Sequence, residues 1–136
     1  MADISPSLSD NLAARLTRGA LPGELHDFGP AQVAEAARFV AATAATRAPG
    51  EAAIALEPIA GEDVRRRMRL AIVNDDMPFL VDSIAAAIAR ANLAVDRIIH
   101  PVVRAGRDAA GTLGEIGGAG KPESMIYIEL ERADAR

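Results

Sequence analysis

The stretch from Met68 to Ile88, Met-Arg-Leu-Ala-Ile-Val-Asn-Asp-Asp-Met-Pro-Phe-Leu-Val-Asp-Ser-Ile-Ala-Ala-Ala-Ile, constrains the fold more than any other part of the chain. Met68, Leu70 and Ile72 fall on one face of a strand, because successive strand side chains point to opposite sides. Asn74, Asp75 and Asp76 end that alternation. Pro78 suits the first turn of a helix, where its missing N–H would have no partner anyway, and Asp76 stands close to the N-cap. Leu80, Ile84 and Ile88 then define one apolar stripe. The prediction is a strand, a polar corner and a helix. Such a corner can hold a small ligand, and it is equally an ordinary way to reverse the chain.

The remaining segments supply what this unit packs against. Leu8, Leu12 and Leu16 predict a helix over 7–19, capped by Ser7 or Ser9 and stopped by Leu21-Pro22-Gly23. Glu24 to Gly29 reads as a connector. Val33, Ala37, Val40 and Ala44 predict a second helix from Pro30 to about Arg47, ended by Ala48-Pro49-Gly50. Residues 1–50 are therefore expected to form a helical hairpin, with 51–136 as a separate domain. Glu51 to Pro58 predicts a short strand, which Pro58 confines to an edge or ends. Gly61-Glu62-Asp63 is a turn, and the helix after Pro78 should reach about Asn92.

Val95 to Arg104 is the longest predicted strand. It is apolar on both faces, with Val95, Ile99 and Val103 on one and Ile98 and Val102 on the other. Both faces should therefore be covered, one by the N-terminal helices or by another subunit. Pro101 cannot donate to a ladder, which predicts an edge position or a bulge. Arg107 to Gly111 reads as a turn and Gly114 to Pro122 as a mobile glycine-rich stretch. The last strand is predicted from Ser124 to about Arg132, with Ile126, Ile128 and Leu130 inward and Tyr127, Glu129 and Glu131 outward. The chain stops directly after this strand, which suggests a segment of a longer protein, truncated at its C-terminal end.

Half the residues are apolar but only 3% are aromatic, so the core must come largely from Ala, Val, Ile and Leu. A net charge of −4 with interspersed signs argues against nucleic acid as a partner, because phosphate binding needs a concentrated basic face. The one basic run, Arg65-Arg66-Arg67 with Arg69, is flanked by Glu62 and Asp63 and reads as a solvated start to a strand. The lack of cysteine excludes disulfides, thiolate metal sites and Cys nucleophiles. No secretory signal and no apolar run approaching the ~20 residues of a membrane span is present, so a soluble cytoplasmic protein without membrane contact is expected.

Candidate chemistry is sparse. Gly114-Glu115-Ile116-Gly117-Gly118-Ala119-Gly120-Lys121-Pro122 fails as a phosphate loop: Glu115 replaces the first glycine, Pro122 replaces the Ser or Thr, and a strand follows. His26 and His100 are the only histidines, with no second ligand at zinc spacing and no nucleophile-elbow motif. Asn74, Asp75 and Asp76 remain. Their carboxylates could bind a cation or an amino group, although neighbouring strand residues point opposite ways. The alternative is that one caps the helix while the others are solvated.

Asp76-Met77-Pro78-Phe79-Leu80-Val81-Asp82-Ser83-Ile84 resembles the ACT-domain pattern Asp-x-Pro-Gly-x-Leu-x-x-Ile, with Phe79 at the glycine position. A longer resemblance runs through Ile72 to Ser83, His100-Pro101-Val102-Val103-Arg104 and Glu123 to Leu130. These blocks resemble the N-terminal region of the large bacterial NAD-specific glutamate dehydrogenases. The resemblance implies an α+β, ferredoxin-like βαββ antiparallel sheet with a helix packed on one face. It implies a regulatory or assembly module, with catalysis and NAD binding in a downstream region, so no catalytic, cofactor or metal residues are expected here. The implied partners are the rest of the same polypeptide, a homo-oligomer and an amino-acid effector. Asn74, Asp75, Asp76 and Met77 are the candidate ligand-binding residues. The competing expectations are a free-standing small-molecule-binding domain, a structural adaptor, and a small enzyme using Asn74-Asp75-Asp76 with His100.

Overall fold

The central strand is the last one. The structure, a computed structural model, describes residues 6–18, 22–59 and 67–131. In chain order its elements are α1 (Pro6–Leu16), a 3-10 helix (Pro22–Leu25), α2 (Pro30–Ala44), β1 (Ala53–Pro58), β2 (Arg67–Asp75), α3 (Leu80–Arg90), β3 (Val95–Ile99), β4 (Val102–Arg107), β5 (Leu113–Ile116) and β6 (Lys121–Glu131). β6 pairs antiparallel with β2 along its length, from Arg67 opposite Glu131 to Asp75 opposite Glu123. On its other side β6 pairs with β4 near Ser124 and with β3 near Ile128. The sheet order is β1-β2-β6-β4-β5, with β3 continuing the line of β4.

This is the expected α+β, ferredoxin-like arrangement. β2, α3, β3/β4 and β6 form the βαββ unit, with the third of its strands between the first two. β1, which precedes that unit in the chain, occupies the outer edge beside β2.

β6 reads Met-Ile-Tyr-Ile at its centre because both of its faces are covered, which removes the polar half of the usual alternation. On one face Leu12 and Leu16 of α1 and Ala36, Ala37, Val40, Ala41 and Ala44 of α2 pack with Ala71, Val73, Ile99, Val103, Met125 and Tyr127. The alanines of α2 allow a close approach to the sheet. The scarce aromatics are concentrated here: Phe28 stacks on Tyr127 at 6.1 Å, and Phe39 meets it edge-on at 6.5 Å. On the other face α3 covers Ile72, Ile126, Ile128 and Leu130. The N-terminal helices thus cover Ile99 and Val103 of the two-faced apolar pattern of Val95 to Arg104, whereas Val95 and Val102 are 38% and 47% exposed, so that pattern is covered only in part.

Several sequence expectations are corrected. Val95 to Arg104 is two strands, not one. It breaks at His100-Pro101, where the proline lacks an N–H and only its carbonyl joins β6, accepting from Met125 N at 2.9 Å. The glycine-rich stretch contains a strand: β5 forms a hairpin with β4, with a register shift between Gly106 and Arg107. The final strand begins at Lys121, three positions early, because β4 and β2 both pair with that end. Tyr127 and Glu129 point under the N-terminal helices instead of outward, and both are buried. Arg67 and Arg69 face the same side and are paired with Glu129 and Glu57, so this part of the basic run is not simply solvated; Arg65, Arg66 and the predicted turn at Gly61 to Asp63 lie outside the described residues.

Candidate functional site: the corner between β2 and α3

β2 keeps its pairing through Asp75, so the ladder carries the acidic cluster farther than the alternation suggested. Strand geometry then separates Asn74, Asp75 and Asp76. Asp75 turns toward the face of the N-terminal helices. Asp76 turns toward the α3 face.

Asp75 joins a network built on two arginines. Arg47, just past α2, donates from Nη2 to Asp75 Oδ1 at 2.6 Å and to Glu123 Oε2 at 3.1 Å. Arg107 of β4 holds both oxygens of Glu123, at 2.9 Å from Nε and 3.0 Å from Nη2. The Nη1 donors go to carbonyls, Arg47 Nη1 to Glu51 O and Arg107 Nη1 to Gly111 O, both at 2.7 Å, while Arg47 Nε is buried with no hydrogen-bond partner among the described residues. The Arg47 and Glu123 side chains are 5% and 3% exposed, whereas Asp75 is 60% exposed. Burial alone would lower the pKa of Arg47. The hydrogen bonds and charges of Glu123 and Asp75 outweigh it, and the pKa stands above the ordinary arginine value. A cavity of about 540 Å³ opens beside this network, lined by Asp75, Arg107, Glu123, Lys121 and the glycine-rich hairpin.

Asp76 enters a different chain of contacts. Buried Ser124 donates from Oγ to Asp76 Oδ1 at 3.2 Å, and His100 Nε2 lies 3.0 Å from the same Oγ. With the hydroxyl proton directed at Asp76, His100 must donate through Nε2–H. This is not the order that activates a serine, where histidine sits in the middle and removes the hydroxyl proton. Serine is central here and closed to solvent, so the set orients groups and generates no nucleophile. The small-enzyme expectation required Asn74, Asp75, Asp76 and His100 to converge in one pocket. His100 and Asp76 meet through Ser124, and Asp75 is committed to the opposite face.

The corner itself differs from prediction. α3 starts at Leu80, so Pro78 lies before the helix, and the N-cap is Phe79, not Asp76. Phe79 has φ 63° and ψ 10°, the left-handed region, with no side-chain cap. That backbone, needed to turn from β2 into α3, explains why the resembled pattern carries glycine at this position. The Phe79 side chain is 77% exposed and Met77 is exposed beside it. Asn74 Nδ2 contacts Met77 Sδ at 3.7 Å; Asn74 is half-buried, and Asp75, Asp76 and Met77 are exposed.

Sequence reasoning missed Arg47, Arg107, Glu123 and Ser124 as parts of this region. The available signal was Glu123 and Glu129 at alternate positions of an otherwise apolar strand. A carboxylate inside a two-sided strand demands a cation, and Arg47 and Arg107 were candidates.

Comparison with curated proteins and with solved structures returned no match. The family model described as glutamate dehydrogenase, ACT1 domain, matches residues 12–136. That range takes in the end of α1, all of α2 and the whole βαββ sheet, and the chain belongs to the glutamate dehydrogenase ACT1 domain family.

Proposed function

We propose that this chain is a regulatory and assembly module of a large, cytoplasmic, NAD-dependent glutamate dehydrogenase. The oxidative deamination of L-glutamate to 2-oxoglutarate would be carried out by another region of the enzyme. The observation that carries the reading is an unevenly covered sheet. The first face lies under two helices, but the α3 face lies under one. Ile54 and Leu56 of edge strand β1 point to that second face, opposite Ile72 and Leu70, and are 64% and 55% exposed. Large aliphatic side chains in a row on an edge strand mark a surface that another body covers. We assign that body to the remainder of the same polypeptide, in keeping with a domain whose family is defined within a larger enzyme.

In this reading an amino-acid effector at the corner would rest on Asn74, Asp75, Asp76 and Met77, where Asp75 and Asp76 are exposed and each uses only Oδ1 in the contacts above. Among the described residues no helix is long and apolar enough to cross a membrane. The test is the double variant Ile54→Glu, Leu56→Glu in the full-length enzyme, followed by light scattering and glutamate-dependent NAD reduction. Loss of the native assembly with the isolated chain still folded supports the reading. An unchanged assembly with unchanged activity and regulation removes it. Self-association of the isolated chain that these substitutions abolish would assign the face to a second copy instead.

A further inference from the structure

We infer that a cavity at the open edge of β4 is a binding site for the phosphate group of a small molecule. It lies between the end of α1 and the turn after β5, and it does not depend on the docking reading above. The cavity is about 240 Å³ and is lined by Arg15, Arg18 and Arg104 together with Pro101, Val102 and Gly117. That volume is below the ~300 Å³ at which sites for drug-sized ligands begin, so its occupant is small.

Two elements bring the guanidinium groups together. α1 ends at Leu16, which places Arg15 in its last turn and Arg18 just beyond. β4 pairs with β6 from Val102 to Ala105, whereas β5 pairs with its other side only from Ala105 onward. From Val102 to Arg104 that side has no strand neighbour, and Arg104 O accepts from Gly117 N at 2.8 Å. Gly117 has φ 96°, and a Cβ there would lie 2.9 Å from Arg15 Nη2. The bare glycine lets the Arg15 fork lie against this turn.

Charge at this cavity is unbalanced. Arg47, Arg67, Arg69, Arg97 and Arg107 each pair with a carboxylate. Among the described residues Arg15, Arg18 and Arg104 pair with none, and no Asp or Glu lines the cavity. Arg15 gives Nη1 to Asn11 O at 3.2 Å and Arg104 gives Nη1 to Gly120 O at 2.9 Å, while the exposed Arg18 side chain has no partner among the described residues. The carbonyl end of α1 attracts Arg15 and Arg18, but it does not account for Arg104, which arrives from the sheet. One planar fork satisfies a carboxylate. A phosphate carries up to two charges and offers oxygens in several directions, which suits forks reaching one cavity from a helix end and from a strand. Pro101 and Val102 supply an apolar wall for the organic part of a monoester.

The test is calorimetric titration of the chain, at fixed ionic strength, with inorganic phosphate, glycerol 3-phosphate, acetate and hexaglutamate. Amide and guanidinium N–H shifts locate the binding. A Kd of about 1 mM or below is expected for a phosphate compound, with shifts at Arg15, Arg104 and Gly117. Tighter binding of glycerol 3-phosphate than of inorganic phosphate supports a monoester as the ligand, and the reverse order supports the free ion. Acetate should bind roughly tenfold more weakly or worse. Arg15→Gln and Arg104→Gln should each weaken the phosphate compound about tenfold, and Arg104→Lys less, with melting temperatures near that of the parent. Arg90→Gln, at an exposed arginine of α3, should leave affinity unchanged. The inference is overturned if neither phosphate compound binds up to about 10 mM, or if acetate binds as tightly. It is equally overturned if Arg90→Gln weakens binding as much as Arg104→Gln. Binding of hexaglutamate alone would also overturn it and assign the arginines to an acidic protein segment.

Discussion

Removing the Glu123 carboxylate should destabilise this chain more than any other single change at the corner. In Glu123→Ala three N–H···O bonds are lost, one from Arg47 and two from Arg107. The Arg47 side chain is 5% exposed and that of Arg107 is 11%, so water does not replace the carboxylate without local opening. Arg47 keeps Asp75, but Arg107 keeps only the Gly111 carbonyl. Breaking a buried pair from one side costs about 3–5 kcal/mol, because a charge stays behind uncompensated. For a chain of this size each kcal/mol moves the melting temperature by about 3–4 °C, so a drop of roughly 10–20 °C is expected. Asp75→Asn is the internal comparison. Asp75 is 60% exposed and accepts one bond from Arg47, so its loss should cost no more than about 1 kcal/mol. Urea unfolding followed by circular dichroism measures both variants. If Glu123→Ala costs under about 1 kcal/mol, or less than Asp75→Asn, the network is not the buried clasp described above.

Further outcomes follow from other residues. Tyr127 is the sole tyrosine and tryptophan is absent, so alkaline absorbance reads it alone. Burial, then its hydrogen bond to Glu129, raises its pKa above the ordinary 10.0. The folded state therefore binds this proton more tightly than the unfolded state. Its contribution to stability is complete below pH 10 and is lost as pH rises toward the folded-state value; folded protein should show almost no phenolate at about pH 10.5, and unfolded protein a majority. Phe79→Gly should stabilise the fold by about 0.5–1 kcal/mol in thermal melts, since it relieves a left-handed φ and removes little buried area. A loss of stability would mean that the exposed ring makes contacts within the fold. Gly111 has φ 88°, and a Cβ there would lie 2.0 Å from the Arg47 carbonyl oxygen. Gly111→Ala should cost about 3 kcal/mol or more by chemical denaturation, and a cost under 1 kcal/mol would contradict this packing.

The parts of the fold legible in the sequence are those whose periodicity is set by one neighbour. β2 shows it through Met68, Leu70 and Ile72, α3 through Leu80, Ile84 and Ile88, and β6 through Ile126, Ile128 and Leu130. Where a second neighbour decides the outcome, local pattern failed. Tyr127 and Glu129 read as outward because the alternation has no knowledge of α1 and α2 covering that face. Leu113 and Ile116, both buried, are three apart in β5, which hides the strand's alternation beside the register shift in β4. The left-handed Phe79 was invisible because the residue type argues against it, and only the direction of β2 into α3 imposes it. At the corner, the divergence of Asp75 and Asp76 followed from strand geometry. Their partners did not, because Arg47 lies 28 residues from Asp75 and Ser124 lies 48 from Asp76.

Amide hydrogen exchange, compared between the isolated chain and the full-length enzyme, tests the docking of the α3 face most directly. Added protection is expected in β1 around Ile54 and Leu56 and in α3 when the rest of the polypeptide is present, with little change in α1 and α2, which already cover their face. Equal exchange in β1 and α3 in both proteins, or added protection confined to α1 and α2, would contradict it.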